Sequence, residues 1–242
     1  MKLNDVYHAQ RIVLLATIAI MSCALAGDDG RNDGSTQSAR KLVYKPKEPN
    51  QIGSRVASVA RGKSSDTPML SVLAPNHTGL TVNDQPSLFW YQSKPCALRF
   101  ELTVVIPNTA QPVMEFTLPR AEQAGVQRIY LHDQKTKLST GVEYQWTAAL
   151  IPDEENRSKD IISSGTIKRT APSPEFMSKI VKKSKEELVY LYAEEGLWYD
   201  ALEAVSELIE ANPAGHFHEL RATLLEQADL PDVAAYDRSK EH

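Results

Sequence analysis

The apolar residues of this chain change their period once, and that change constrains the fold more than any other feature. Between Met69 and Arg169 they recur at every second position; from Pro172 onward they recur at every third or fourth. The first period buries one face of a strand and the second buries one face of a helix. The expected class is α+β in sum: an all-β region followed by a helical tail.

Within the β region, strands are expected around Leu80–Val82, Ser87–Tyr91, Ala97–Ile106, Val113–Leu118, Val126–Leu131, Glu143–Ile151 and Ile161–Lys168. Turn residues lie between them, as at Asn83-Asp84-Gln85-Pro86, Pro107-Asn108 and Ser139-Thr140-Gly141. Short strands with regular turn signals read as a β-sandwich over residues 67–172. The stretch Leu138-Ser139-Thr140-Gly141-Val142-Glu143-Tyr144 resembles the tyrosine corner of fibronectin-type and immunoglobulin-like domains. Trp90 stands where such modules keep a core tryptophan, without a flanking cysteine pair.

The tail over residues 173–242 opens with Ser173-Pro174-Glu175, a capping hydroxyl, a proline at the first helical position and an acid. Lys182–Gly215 is thirty-four residues long and is similar to one tetratricopeptide repeat. Leu188 and Tyr192 belong to its first helix. Gly196 marks the turn, Trp198 begins the second helix, Ala201 is small where two helices touch, and Pro213 ends the unit. Val189 departs from the small residue usual in the first helix. His216–Tyr236 is also helical but leaves the repeat pattern and reads as a cap. One repeat cannot bury its own face, so these helices must rest on the sandwich or on a partner.

Residues 1–26 read as an export signal. Lys2, His8 and Arg11 precede the uncharged run Ile12–Ala26, which ends in Ala24-Leu25-Ala26. That run is shorter than the ~20 residues a membrane-spanning helix needs. Ile20-Met21-Ser22-Cys23 loosely resembles a bacterial lipobox, and lipidation at Cys23 is the one route by which a membrane would be engaged. Cleavage after Ala26 leaves Cys96 as the sole cysteine, so no disulfide forms within the mature chain. Residues 27–66 lack periodicity and read as a flexible leader. Lys41-Leu42-Val43-Tyr44-Lys45 has the pattern of a short docked strand, limited by Pro46 and Pro49.

The chain of 242 residues has a net charge of −4, which conceals an uneven distribution. Residues 27–66 carry 8 basic and 5 acidic side chains, residues 67–174 carry 10 of each, and residues 175–242 carry 7 basic and 15 acidic. No nucleic-acid partner is expected of such a balance. The acidic tail either keeps helix faces solvated or docks a basic partner, the leader itself included.

No catalytic motif is found: there is no G-x-S-x-G, no phosphate loop and no H-E-x-x-H. His216 and His218 diverge on a helix start, so no metal site is expected there. Asp153-Glu154-Glu155 and Asp160 lack calcium-loop spacing and are interleaved with Arg157 and Lys159. Glu101, Glu115 and Glu143 lie on strands with their alternation toward water. No cofactor is expected, and Cys96 reads as an ordinary thiol after Pro95.

The segment order resembles a secreted bacterial family, common in cyanobacteria, known only as domain of unknown function nine-two-eight. The carriers are Leu42-Val43-Tyr44, Leu73-Ala74-Pro75, Gly79-Leu80-Thr81-Val82, Pro86, Phe89-Trp90-Tyr91, Asn156-Arg157-Ser158 with Asp160, Gly165, Ile167 and Arg169, and Pro172-Ser173-Pro174. The most specific runs from Leu191 to Leu202: Leu-Tyr-Ala-Glu-Glu-Gly-Leu-Trp-Tyr-Asp-Ala-Leu. The resemblance implies export and supplies no catalytic residues. Where the family often has a cysteine before Asn-Arg-Ser, this chain has Ile151-Pro152.

The expected role is a non-enzymatic interaction or scaffold module of the cell envelope, in the periplasm or outside the cell, with a protein partner. Tyr192, Trp198 and Tyr199 are the candidate partner-binding residues, on the concave side of the hairpin; the alternative is that they dock the hairpin onto the sandwich. A second reading is a carbohydrate-binding or envelope-attached accessory domain. There Tyr91 is the candidate contact, because alternation puts it opposite Trp90.

Overall fold

The structure is a computed structural model that describes residues 40–47, 55–56, 68–109 and 111–241. The residues expected to form an export signal and a lipobox lie outside the described residues. Eight strands come first: β1 Leu70–Val72, β2 Gly79–Thr81, β3 Ser87–Gln92, β4 Arg99–Val105, β5 Met114–Leu118, β6 Gly125–Tyr130, β7 Glu143–Ile151 and β8 Ile161–Arg169. Five helices follow: α1 Pro174–Ile180, α2 Lys185–Glu194, α3 Trp198–Ala211, α4 Phe217–Gln227 and α5 Pro231–Arg238.

The strands form a three-stranded sheet in the order β1-β3-β6 and a five-stranded sheet in the order β2-β8-β7-β4-β5. All pairings between these strands are antiparallel except that of β2 with β8. This is the immunoglobulin/fibronectin-like sandwich anticipated from the alternation, with β1 added to the seven expected strands. Trp90 stacks on Phe100 at 4.6 Å across the two sheets. The tyrosine corner is formed as its spacing predicts: the Ser139 N–H donates to the Tyr144 hydroxyl at 3.0 Å. That bond ties the loop before β7 to its first turn and keeps the buried phenol satisfied.

Helices α3 and α5 cover the outer face of the three-stranded sheet as a third layer, and α3 also abuts β2 of the other sheet. Ser87 donates to Glu203 of α3 at 2.6 Å. Arg128 of β6 reaches Glu210 of α3 at 2.7 Å, and Tyr91 lies 5.0 Å from Tyr236 of α5. All six residues of β3 are therefore buried.

The tail contains two helical hairpins, not one hairpin and a cap. The α2–α3 and α4–α5 turns close alike. Leu197 N–H bonds Tyr192 O at 2.9 Å and Gly196 N–H bonds Ala193 O at 3.1 Å; Leu230 N–H bonds Leu225 O and Asp229 N–H bonds Glu226 O, both at 3.0 Å. Both are Schellman caps, whose last residue must enter the left-handed region. Gly196 does so at φ 74° and Asp229 at φ 60°. The second repeat escapes sequence reading because aspartate, which tolerates this conformation, stands where glycine signals it in the first. Behind the caps, Arg221 and Asp237 form a buried bidentate pair with both N···O distances at 2.6 Å. Asp237 also meets His218, and Arg221 donates to Ser206. This knot joins α3, α4 and α5.

Candidate functional site

The seam between α3 and the sandwich is built from the aromatic pair that starts the helix. Trp198 donates its indole N–H to the Leu73 carbonyl at 2.9 Å. The Tyr199 hydroxyl accepts from the Trp146 indole at 2.9 Å and donates to the Thr166 carbonyl at 2.9 Å. Glycine at position 79 makes this approach possible, because a Cβ there would lie 2.6 Å from the Tyr199 ring. One turn on, the buried Asp200 carboxylate accepts the Val82 N–H at 3.1 Å and the Thr81 hydroxyl. Burial pushes its pKa up to about 7, against those hydrogen bonds, and the neighbouring Glu203 adds to the rise. Glu203 is itself raised, chiefly by burial.

The second feature is a groove across the helical turns, filled by residues 40–47. These residues run extended, with Leu42 (3% exposed) and Tyr44 (7%) inward and Lys41, Val43 and Lys45 outward. Gln227 of α4 accepts the Tyr44 N–H at 2.8 Å and donates to the Leu42 carbonyl at 3.2 Å. Lys45 N–H donates to Ala193 O at 3.0 Å. The Lys45 carbonyl sits so close over Gly196 that a Cβ there would meet it at 2.5 Å. Tyr44 packs edge-on against Trp198 at 5.1 Å and shares a hydrogen bond of 2.8 Å with His77 Nε2. Arg40 pairs with Glu194 at 3.0 Å and lies over the Tyr190 ring; Lys47 pairs with Glu195. Further along, Arg55 donates to the carbonyls of Ala74, Ala228 and Asp229, so a guanidinium caps the end of α4.

The reading of residues 27–66 as flexible leader is thus corrected for residues 40–47 and 55–56; the stretch Lys41–Lys45 docks as its pattern allows, but on helices and in neither sheet. They are anchored, because Leu42 and Tyr44 find apolar seats and the segment's basic residues find the acidic tail.

The sequence-predicted residues fall mostly on the seam. Trp198 and Tyr199 are 0% exposed and dock the hairpin, so the expectation that they face a partner is corrected. Tyr192 is half-buried against Phe176, and burial raises its pKa. Tyr91 does lie opposite Trp90 on the outer face of its sheet, but it is 7% exposed beneath Tyr236, so its expected exposure to a carbohydrate is corrected: the helical layer covers the face that alternation assigns to water. His216 turns to Glu186 while His218 turns to Asp237. Glu101 is buried and joined by Arg99 and Arg157. Among the described residues no group of three or more His, Cys, Asp or Glu is arranged to hold a metal ion. Among them also, no helix is long and apolar enough to cross a membrane. The residue that sequence reasoning missed is Gln227. An exposed glutamine on a helix carries no signal until the chain it clamps is in place.

Residues 51–237 match the family described as Domain of Unknown Function, DUF928. The chain belongs to the DUF928 family. The match spans the sandwich and both hairpins of this DUF928 protein and begins after the groove-filling segment 40–47. A search of curated proteins gives no match. Among solved structures, an engineered protein determined at 1.98 Å is similar at 8% identity and a TM-score of 0.29. That likeness covers 44% of this chain and 21% of the other, so the chain spans about a fifth of that structure's length.

Proposed function

We propose that this protein is an exported, non-enzymatic interaction or scaffold module of the cell envelope. The observation that carries the reading is the extended segment 40–47 held across two helical turns by backbone-directed hydrogen bonds. A helical surface that grips extended chain in this way is the surface repeat hairpins use on peptides. Export rests on the charged start, the apolar run and the Ala24-Leu25-Ala26 exit. The sandwich is the scaffold that holds the hairpins in place through Trp198 and Tyr199.

Two measurements test this. Mass spectrometry of the mature protein from its native envelope is expected to find a new N-terminus at Gly27, or at a lipidated Cys23. Crosslinking in that envelope is expected to join the helical tail reproducibly to one envelope protein. Retention in the cytoplasm with an intact Met1 end, or crosslinks confined to the chain itself, would contradict the proposal.

A further inference from the structure

The groove over the helical turns reads backbone as well as side chains. One amide, that of Gln227, bonds the carbonyl of Leu42 and the N–H of Tyr44. A clamp on residues n and n+2 demands an extended chain and is indifferent to its sequence. Selectivity comes from what lies beside the clamp. Leu42 is buried, and Tyr44 is seated between the edge of Trp198 and the His77 ring. Glu194 and Glu195 stand at the two ends and meet Arg40 and Lys47. The glycine at position 196 admits the passing backbone.

We infer that this groove is a peptide-binding site for an extended segment carrying an aliphatic residue, any residue and an aromatic one between basic flanks. Residues 40–47 are the chain's own occupant, which an external segment of that chemistry displaces. The inference rests on the interaction reading above and names its ligand and its regulation. Displacement is physically accessible. The segment adds no strand to either sheet, and the ion pairs at its ends are exposed and weaken with salt. A tethered occupant competes as though present at about millimolar concentration, so an external peptide binds well only after the tethered one is weakened.

The test uses the full chain and a fluorescent peptide of sequence Arg40–Lys47. Against the Leu42→Ser/Tyr44→Ser variant the peptide is expected to bind ~100-fold more tightly than against the unaltered chain. Adding Gln227→Ala, an exposed position, is expected to reduce that affinity about tenfold. A scrambled peptide of equal charge is expected not to bind. If the double variant keeps its circular dichroism and cooperative unfolding yet binds the peptide no more tightly than the unaltered chain, the inference is overturned. Should that variant not fold, Arg40→Glu/Lys47→Glu takes its place. It disturbs the two exposed ion pairs and the Arg40 contact over Tyr190, and unchanged peptide affinity there overturns the inference equally. Envelope crosslinks that avoid the groove would sink this inference while leaving the broader interaction reading intact. Peptide binding without any envelope crosslink would do the reverse.

Discussion

The two sheets of the sandwich have opposite outer faces. The five-stranded sheet presents Thr103, Thr147, Gln145, Glu115 and Thr117, all part-buried or exposed in the manner of a wetted surface. The three-stranded sheet presents Ser87, Phe89 and Tyr91, all buried under α3 and α5. On the first sheet the tail meets the β2–β8 edge, through Tyr199 and Asp200, and over the strands beyond that edge alternation gives a wet face. On the second the tail is the outer layer, and the central strand is apolar or satisfied on both sides. The tail is therefore part of the core of the fold, and its removal should not be tolerated by the sheet it covers.

Deleting Glu175–His242 tests this most severely. It strips the cover from Phe89, Tyr91 and Trp146, and the remaining sandwich is expected to lose cooperative folding altogether. A dispersed amide spectrum and an intact melting transition in the truncated chain would contradict this.

The next largest effect is expected at the knot inside the tail. Asp237→Ala leaves Arg221 buried without its carboxylate, and removing one partner of a buried pair costs about 3–5 kcal/mol. Chemical denaturation would measure it, and a loss below about 1 kcal/mol would show that water reaches the guanidinium.

A smaller, pH-dependent effect belongs to the joint between helix and sheet. Asp200 has its folded pKa raised to about 7, chiefly by burial. A raised acid favours the folded state most when protonated. Its contribution is complete below the ordinary aspartate range and is lost as pH rises through about 7. Glu203 and Glu207 carry like charge on the same helix face, Tyr192 faces them, and Arg128 offsets Glu203. Asp200→Asn is expected to flatten the decline in stability between acid and neutral pH. Parallel stability–pH curves for the two proteins would rule out Asp200 as the cause.

The smallest effect is expected on the wetted sheet. Thr147→Ala should change stability by no more than about 0.5 kcal/mol. A large loss there would mean that this face, too, is covered.

The strands, the tyrosine corner, the first hairpin and its capping residues follow from local chemistry. Alternation and helical spacing report which residues share a face, and caps and turns need particular side chains within a few positions. Those signals are contained in the sequence wherever one residue's neighbours in the chain are also its neighbours in space. Which face stays wet is a different kind of fact. Tyr91 and Trp198 look like surface aromatics until the helical layer is laid on the three-stranded sheet. Leu42 and Tyr44 have the pattern of a docking segment, but its seat is not legible until Gln227, more than one hundred and eighty positions away, closes on their backbone. Asp229 looks like a surface acid until its φ reveals the second hairpin turn. Local pattern set the elements of this protein. Burial, and with it the choice between binding surface and internal seam, was decided by contacts between distant segments, because burial depends on everything that packs against a residue and not on the residue's own spacing.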